Sequence, residues 1–108
     1  KHWLVQQESA KYDEEILMLE TVLSFLALFN CYPEDVTITP SNSTFYLAGE
    51  IGVVYVRPDM MKDNVLVHEL YHHCQWQKAG KKPAQTWDEW RHREEEAAKI
   101  EDIYLNLK

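Results

Sequence analysis

The apolar residues of this chain change their spacing twice, and few architectures accommodate that order of periods. Over about residues 7 to 30, Ile16, Leu19, Leu23 and Leu26 recur three and four apart, with Val22, Phe25 and Phe29 in a second row. That spacing is one face of a helix. Ser9 is a helix-start signal, and Asp13, Glu14 and Glu15 place acid in the early turns, where the helix dipole favours it. The second half is apolar nearly all round, which predicts a helix buried against a sheet. Pro33 ends the region.

From Val36 the period is two. Val36-Thr37-Ile38-Thr39 alternates as a short strand does, and residues 44–47 and 51–56 read as two more. Pro40-Ser41-Asn42-Ser43 and Ala48-Gly49-Glu50 are the turns between them, and Gly49 and Gly52 suit a tight turn or a bulge. The short second loop predicts an antiparallel hairpin. The helical period returns at about residues 60 to 79, through Val65, Leu66, Leu70 and Trp76, with Gly80 as a stop signal. A last helix runs from Thr86 or Asp88 to Leu107. The expected fold is α+β, a single domain over 1–108. It comprises an N-terminal helix, a small three-stranded, mostly antiparallel sheet and two further helices.

Composition bounds the partners. The 108 residues suffice for one core. The formal charge of −7 argues against a phosphate-backbone binder, because nucleic-acid modules carry a basic face. Four tryptophans argue for a packed fold over disorder. The longest apolar stretch, residues 21–29, is too short to span a bilayer. No secretory signal is visible, which makes a cytoplasmic protein the expectation. The opening Lys1-His2-Trp3 lacks a Met, as a trimmed, tagged or processed start would. Cys31 and Cys74 are expected as two reduced, buried thiols, with a single bridge as the alternative. Nothing in the sequence sets an oligomeric state.

The returning helix carries His68-Glu69-Leu70-Tyr71-His72, an H-E-x-x-H pattern. Residues four apart on a helix stand on one face, so both imidazoles reach one metal ion. Glu69 is turned about 100° from His68 around the axis. It reaches a water in the ion's open position, where a general base is needed. The long version of the motif requires Gly at 75 and a third His at 78, and the chain has Gln75 and Lys78. His73 and Cys74 point away from the His68–His72 face. The third ligand must therefore come from elsewhere, and a glutamate of the last helix completes a His2Glu site with one position open.

Together with a downstream E-x-E-A-x-x-(I/L)-(Q/E) and an aromatic-Leu pair, this pattern resembles small gluzincin-type zinc metallopeptidases, in the compact form often associated with phage or prophage. Here the second feature reads Glu94-Glu95-Glu96-Ala97-Ala98-Lys99-Ile100-Glu101, then Tyr104-Leu105. In that family the first Glu of E-x-x-A binds zinc. That implies Glu94, although Glu95 holds the same spacing to Ala98 one register on.

The resemblance implies peptide hydrolysis, with zinc on His68, His72 and Glu94 and with Glu69 as general base. It also implies a substrate laid as an extended strand along an edge strand, from residues 44–47 or 51–56. So short a chain leaves little for subsites, which points to a restricted substrate range. Tyr71, His73, His92 and Tyr104 are the candidate donors to the oxyanion, and His92 is preferred because it lies two residues before Glu94. Glu101, seven residues beyond Glu94 on the same helix face, is the better acceptor for a ligand imidazole N–H, ahead of Asp102. The competing readings are a zinc-containing binding module and an inactive metallopeptidase-like interaction domain. A closed fourth ligand would favour the first of these, and absence of zinc from the purified protein would favour the second.

Overall fold

The computed structural model describes residues 3–5, 12–49 and 51–107, with side chains from Glu15 onward. The expected helix start around Ser9 and the turn residue Glu50 lie outside them. Strand β1 (Trp3–Val5) precedes helix α1 (Tyr12–Ala27). Strands β2 (Val36–Pro40), β3 (Phe45–Leu47) and β4 (Gly52–Val56) follow, then helices α2 (Asp63–Lys78) and α3 (Trp87–Asn106). The architecture is α+β, as the periods required.

The sheet departs from the expected three strands in number, with β1 as a fourth, and in order and direction. Its order is β1-β2-β4-β3, with β1 and β4 both parallel to β2 and only β3 antiparallel to β4. It is thus a mixed sheet, not a mostly antiparallel one. The expected hairpin forms, with Phe45 opposite Tyr55 and Leu47 opposite Val53. The chain leaving β2 passes over the place of β4, forms β3 outside it and returns. Burial explains the order. Val36 and Ile38 of β2 and Val54 and Val56 of β4 are fully buried, and such β-branched runs belong at a sheet's centre. Phe45 and Leu47 of β3 stay exposed, as an edge allows. Parallel pairing of β1 with β2 needs a long crossover, and α1 supplies it.

One contiguous core joins the layers. Leu19, Val22, Phe25 and Leu26 of α1 meet Leu66, Val67 and Leu70 of α2, the central strands, and Ala97, Ile100 and Tyr104 of α3. Helix α2 starts later than its period suggested, because Pro58–Met60 forms a 3-10 turn and Lys62 is extended. It ends at a Schellman turn. Gly80, at φ 71°, donates to Gln77 O, and Lys81 N donates to Trp76 O. Helix α3 opens on a capping box, in which Thr86 Oγ1 accepts from Glu89 N and the Glu89 carboxylate reaches back to Gln85 N.

The two cysteines are not free. Cys31, after α1, and Cys74, in α2, are joined by a disulfide with Cα atoms 5.6 Å apart. Sequence spacing carries no such information, because the fold alone brings the two segments together. No helix among the described residues is long and apolar enough to cross a membrane.

Candidate metal centre

Helix α2 presents His68 and His72 one turn apart, and α3 packs alongside to bring in Glu94. One ligand atom from each of the three lies within 4.8 Å of the others. Glu94 Oε1 is 3.2 Å from His68 Nε2, and its Oε2 is 2.8 Å from His72 Nε2. Glu95 is exposed, and Glu96 turns to Gln75 and Tyr71. Of the three successive glutamates, only Glu94 faces the histidines.

The outer partners fix which nitrogen of each ring carries hydrogen. His68 Nδ1 is 3.0 Å from Glu101 Oε1, and the other Glu101 oxygen accepts from Asn64 Nδ2 at 2.8 Å. The carboxylate can only accept, so Nδ1 donates, and in the neutral ring the lone pair then sits on Nε2. His72 Nδ1 is 2.7 Å from Gln75 Oε1. The Gln75 amide cannot be turned round, because its Nε2 donates to Arg93 O and to Glu96 Oε1, both at 2.9 Å. His72 Nδ1 therefore donates too, and its Nε2 is the lone-pair nitrogen.

With both rings neutral, two lone pairs converge on the Glu94 carboxylate, an arrangement in which nothing donates. The buried His72 Nε2 has no hydrogen-bond partner despite its short distance to Glu94. Burial lowers the affinity of His72 for a proton, against the opposing pull of Gln75 and Glu94, so the ring stays neutral. A single cation among the three would satisfy every contact, and two imidazoles with one carboxylate are a donor set that suits a divalent transition metal such as zinc.

Glu69 stands beside this trio. Burial first, then the charges of Glu94 and Glu101, raise its carboxyl above the ordinary range, with His68 opposing. Glu69, His68, His72 and Glu94 open into a cleft of about 510 Å³. Phe45 and Tyr46 of β3 line it, together with Trp76, Pro83, Trp90 and Arg93. The edge strand beside the site is therefore β3, which decides between the two strands left open by the sequence.

The expected oxyanion donors are not there. His92 is exposed and does not line the cleft. Two residues before Glu94 on a helix means about 200° of rotation, onto another face. Tyr71 bonds Glu96, and Tyr104 donates to Asp63 Oδ2 at 2.7 Å; its burial and Asp63 push its hydroxyl up to about 12. His73 is fully buried, accepting from Tyr46 Oη through Nδ1 at 2.6 Å and donating through Nε2 to Glu34 O. Of the groups that sequence reasoning passed over, Gln75 orients His72, and Arg93 lines the cleft. Arg93 was visible as a cation three residues after Trp90 and next to Glu94.

Comparison with protein-family models, with curated proteins and with solved structures finds no match to this chain.

Proposed function

We propose that this protein is a zinc-dependent peptidase that cleaves extended peptides laid beside β3. The observation that carries the reading is the convergence of His68 Nε2, His72 Nε2 and the Glu94 carboxylate, with Glu69 adjacent and a cleft in front. His68, His72 and Glu94 would hold the ion. When bound, zinc supplies a Lewis acid and makes a water acidic enough to lose a proton near neutral pH. Glu69 receives that proton as the water oxygen adds to the carbonyl carbon. It then delivers the proton to the amine nitrogen as the C–N bond breaks, so that water is divided between the two products. Its raised proton affinity suits a group that must both take and return a proton. Glu101 and Gln75 hold the two rings in the tautomer that leaves Nε2 free. Phe45, Tyr46, Trp76 and Trp90 give the cleft apolar walls for the side chains of a short extended peptide.

The Cys31–Cys74 bridge supports an oxidising compartment in place of the cytoplasmic one anticipated from the sequence.

The test is metal quantification together with a peptide-library cleavage screen. Wild-type protein should carry one zinc per chain and cleave a narrow set of peptides. Glu69→Gln should retain the metal and lose about 10²–10⁴-fold in rate. Cleavage by Glu69→Gln at the wild-type rate would remove Glu69 as the base. Zinc without cleavage of any peptide would leave the binding-module reading standing.

A further inference from the structure

The chain has three arginines, Arg57, Arg91 and Arg93. Arg57 is paired with Asp59 and Arg91 with Asp88, each at 2.9 Å. Arg93 has no carboxylate partner among the described residues, in a protein of 18 acidic and 11 basic side chains. It is also the only lysine or arginine among the described side chains that is half-buried; the rest are exposed. One of its five N–H donors is committed, Nη2 to Lys82 O at 3.1 Å. That contact anchors the guanidinium against the loop after α2 without neutralising it. Arg93 lines the cleft next in sequence to Glu94, and among the described residues it is the only permanently cationic side chain of that lining.

We propose that Arg93 is a specificity-determining residue that receives a carboxylate of the peptide close to the scissile bond. The inference rests on the peptidase reading and narrows it from peptides in general to those offering an anion at that position. A guanidinium fork held at a cleft wall matches a carboxylate in two parallel hydrogen bonds, and partial exclusion of water strengthens them. The carboxylate is either the free C-terminus of a short substrate or an Asp or Glu side chain within a longer one. The chemistry at Arg93 is the same for both. The backbone of Arg93 has a separate duty, since its carbonyl accepts from Gln75. Replacing the side chain therefore leaves the support of His72 in place.

Three hydroxamate dipeptides test this by titration calorimetry on the zinc-loaded protein. One ends in Leu-Ala with a free carboxylate, one in Leu-Ala amide and one in Leu-Glu amide. Wild type should bind at least one of the carboxylate probes about 10-fold or more tighter than Leu-Ala amide. Preference for the first marks a free C-terminus, and preference for the third marks an acidic side chain. In Arg93→Met the ratio should fall to about one with zinc stoichiometry unchanged, and Arg93→Lys should restore part of it. Equal affinity for all three probes in wild type, or a preference that survives in Arg93→Met, would overturn the role of Arg93 while leaving the metal site standing. Failure of every probe to bind the zinc-treated protein would overturn the peptidase reading and this inference together.

Discussion

Gln75 does at one position what the two oxygens of Glu101 do at another: it holds a ligand ring from behind. Its Oε1 takes the His72 Nδ1 hydrogen while its Nε2 ties two points of α3, Arg93 O and Glu96 Oε1. Gln75→Leu fills similar space and removes all three bonds. The expected result is a loss of about 10–100-fold in zinc affinity, measured by competition with a chromophoric chelator. Unchanged affinity would show that packing alone orients the ring. Glu101 was legible from sequence because a heptad spacing from Glu94 places it on the same face. Gln75 was not. The spacing of the motif marks position 75 only as a place where a glycine is missing, and the α3 groups that fix the Gln75 amide are brought to it by the fold alone. The same holds for His92, whose nearness to Glu94 in the chain is undone by the helical turn.

Protonation belongs to this scale as well. Burial lowers the proton affinity of both His72 and His73 in the folded, metal-free protein. The unfolded chain then binds more protons than the native one just below the ordinary histidine value of about 6.5. Stability from these rings is full above that pH and falls as the pH drops below it. Glu69 acts with opposite sign, because its raised carboxyl binds protons more readily in the native state. Its contribution improves as the pH falls toward the ordinary carboxylate value. Zinc-free wild type should therefore have a lower urea midpoint at pH 5.5 than at 7.5. The drop should be steeper in Glu69→Gln, where the opposing group is gone. A shallower drop in Glu69→Gln would contradict a raised Glu69 carboxyl.

At the level of elements, the question is what holds the strand beside the cleft in place. β3 has only three residues and pairs on one side only. Its lock is Tyr46, whose hydroxyl donates to His73 in α2. His73 reaches that far because Gly52 of β4 has no side chain; a Cβ there would lie 2.6 Å from His73 Cε1. Tyr46→Phe leaves a buried imidazole nitrogen without its donor and should cost about 1–3 kcal/mol in urea unfolding. Gly52→Ala should cost about as much or more by overpacking. A Tyr46→Phe protein as stable as wild type would mean that β3 is held by its pairing with β4 alone. The existence of β2, β3, β4 and all three helices was legible, since each rests on a local period. Strand order was not, because periodicity says which residues face inward and nothing about which strand lies next to which. The central place of β4 follows from the burial of Val54 and Val56 against both neighbours.

For the molecule as a whole, the disulfide is the feature with the widest reach. Cys31 and Cys74 are 43 residues apart, and all of β2, β3 and β4 lies between them. Their bridge fastens the chain just after α1 to α2, closing the segment that carries β2, β3 and β4. Closing so long a loop restricts the unfolded chain, and removing it should cost about 2–4 kcal/mol. The proposed metal-binding side chains are held differently. His68, His72 and Glu94 all sit on α2 and α3, which share Leu66, Leu70, Ala97, Ile100 and Tyr104 in the core and the Gln75 and Glu101 contacts at the site. Stability and metal binding should thus separate. The double variant Cys31→Ala/Cys74→Ala should unfold at a clearly lower urea concentration and still bind one zinc per chain at low denaturant. The same outcome should follow from mild reduction of wild type. A variant that keeps its unfolding midpoint would show that the core already confines this loop, and one that folds but no longer binds zinc would show that the bridge, not the α2–α3 interface, sets the metal site.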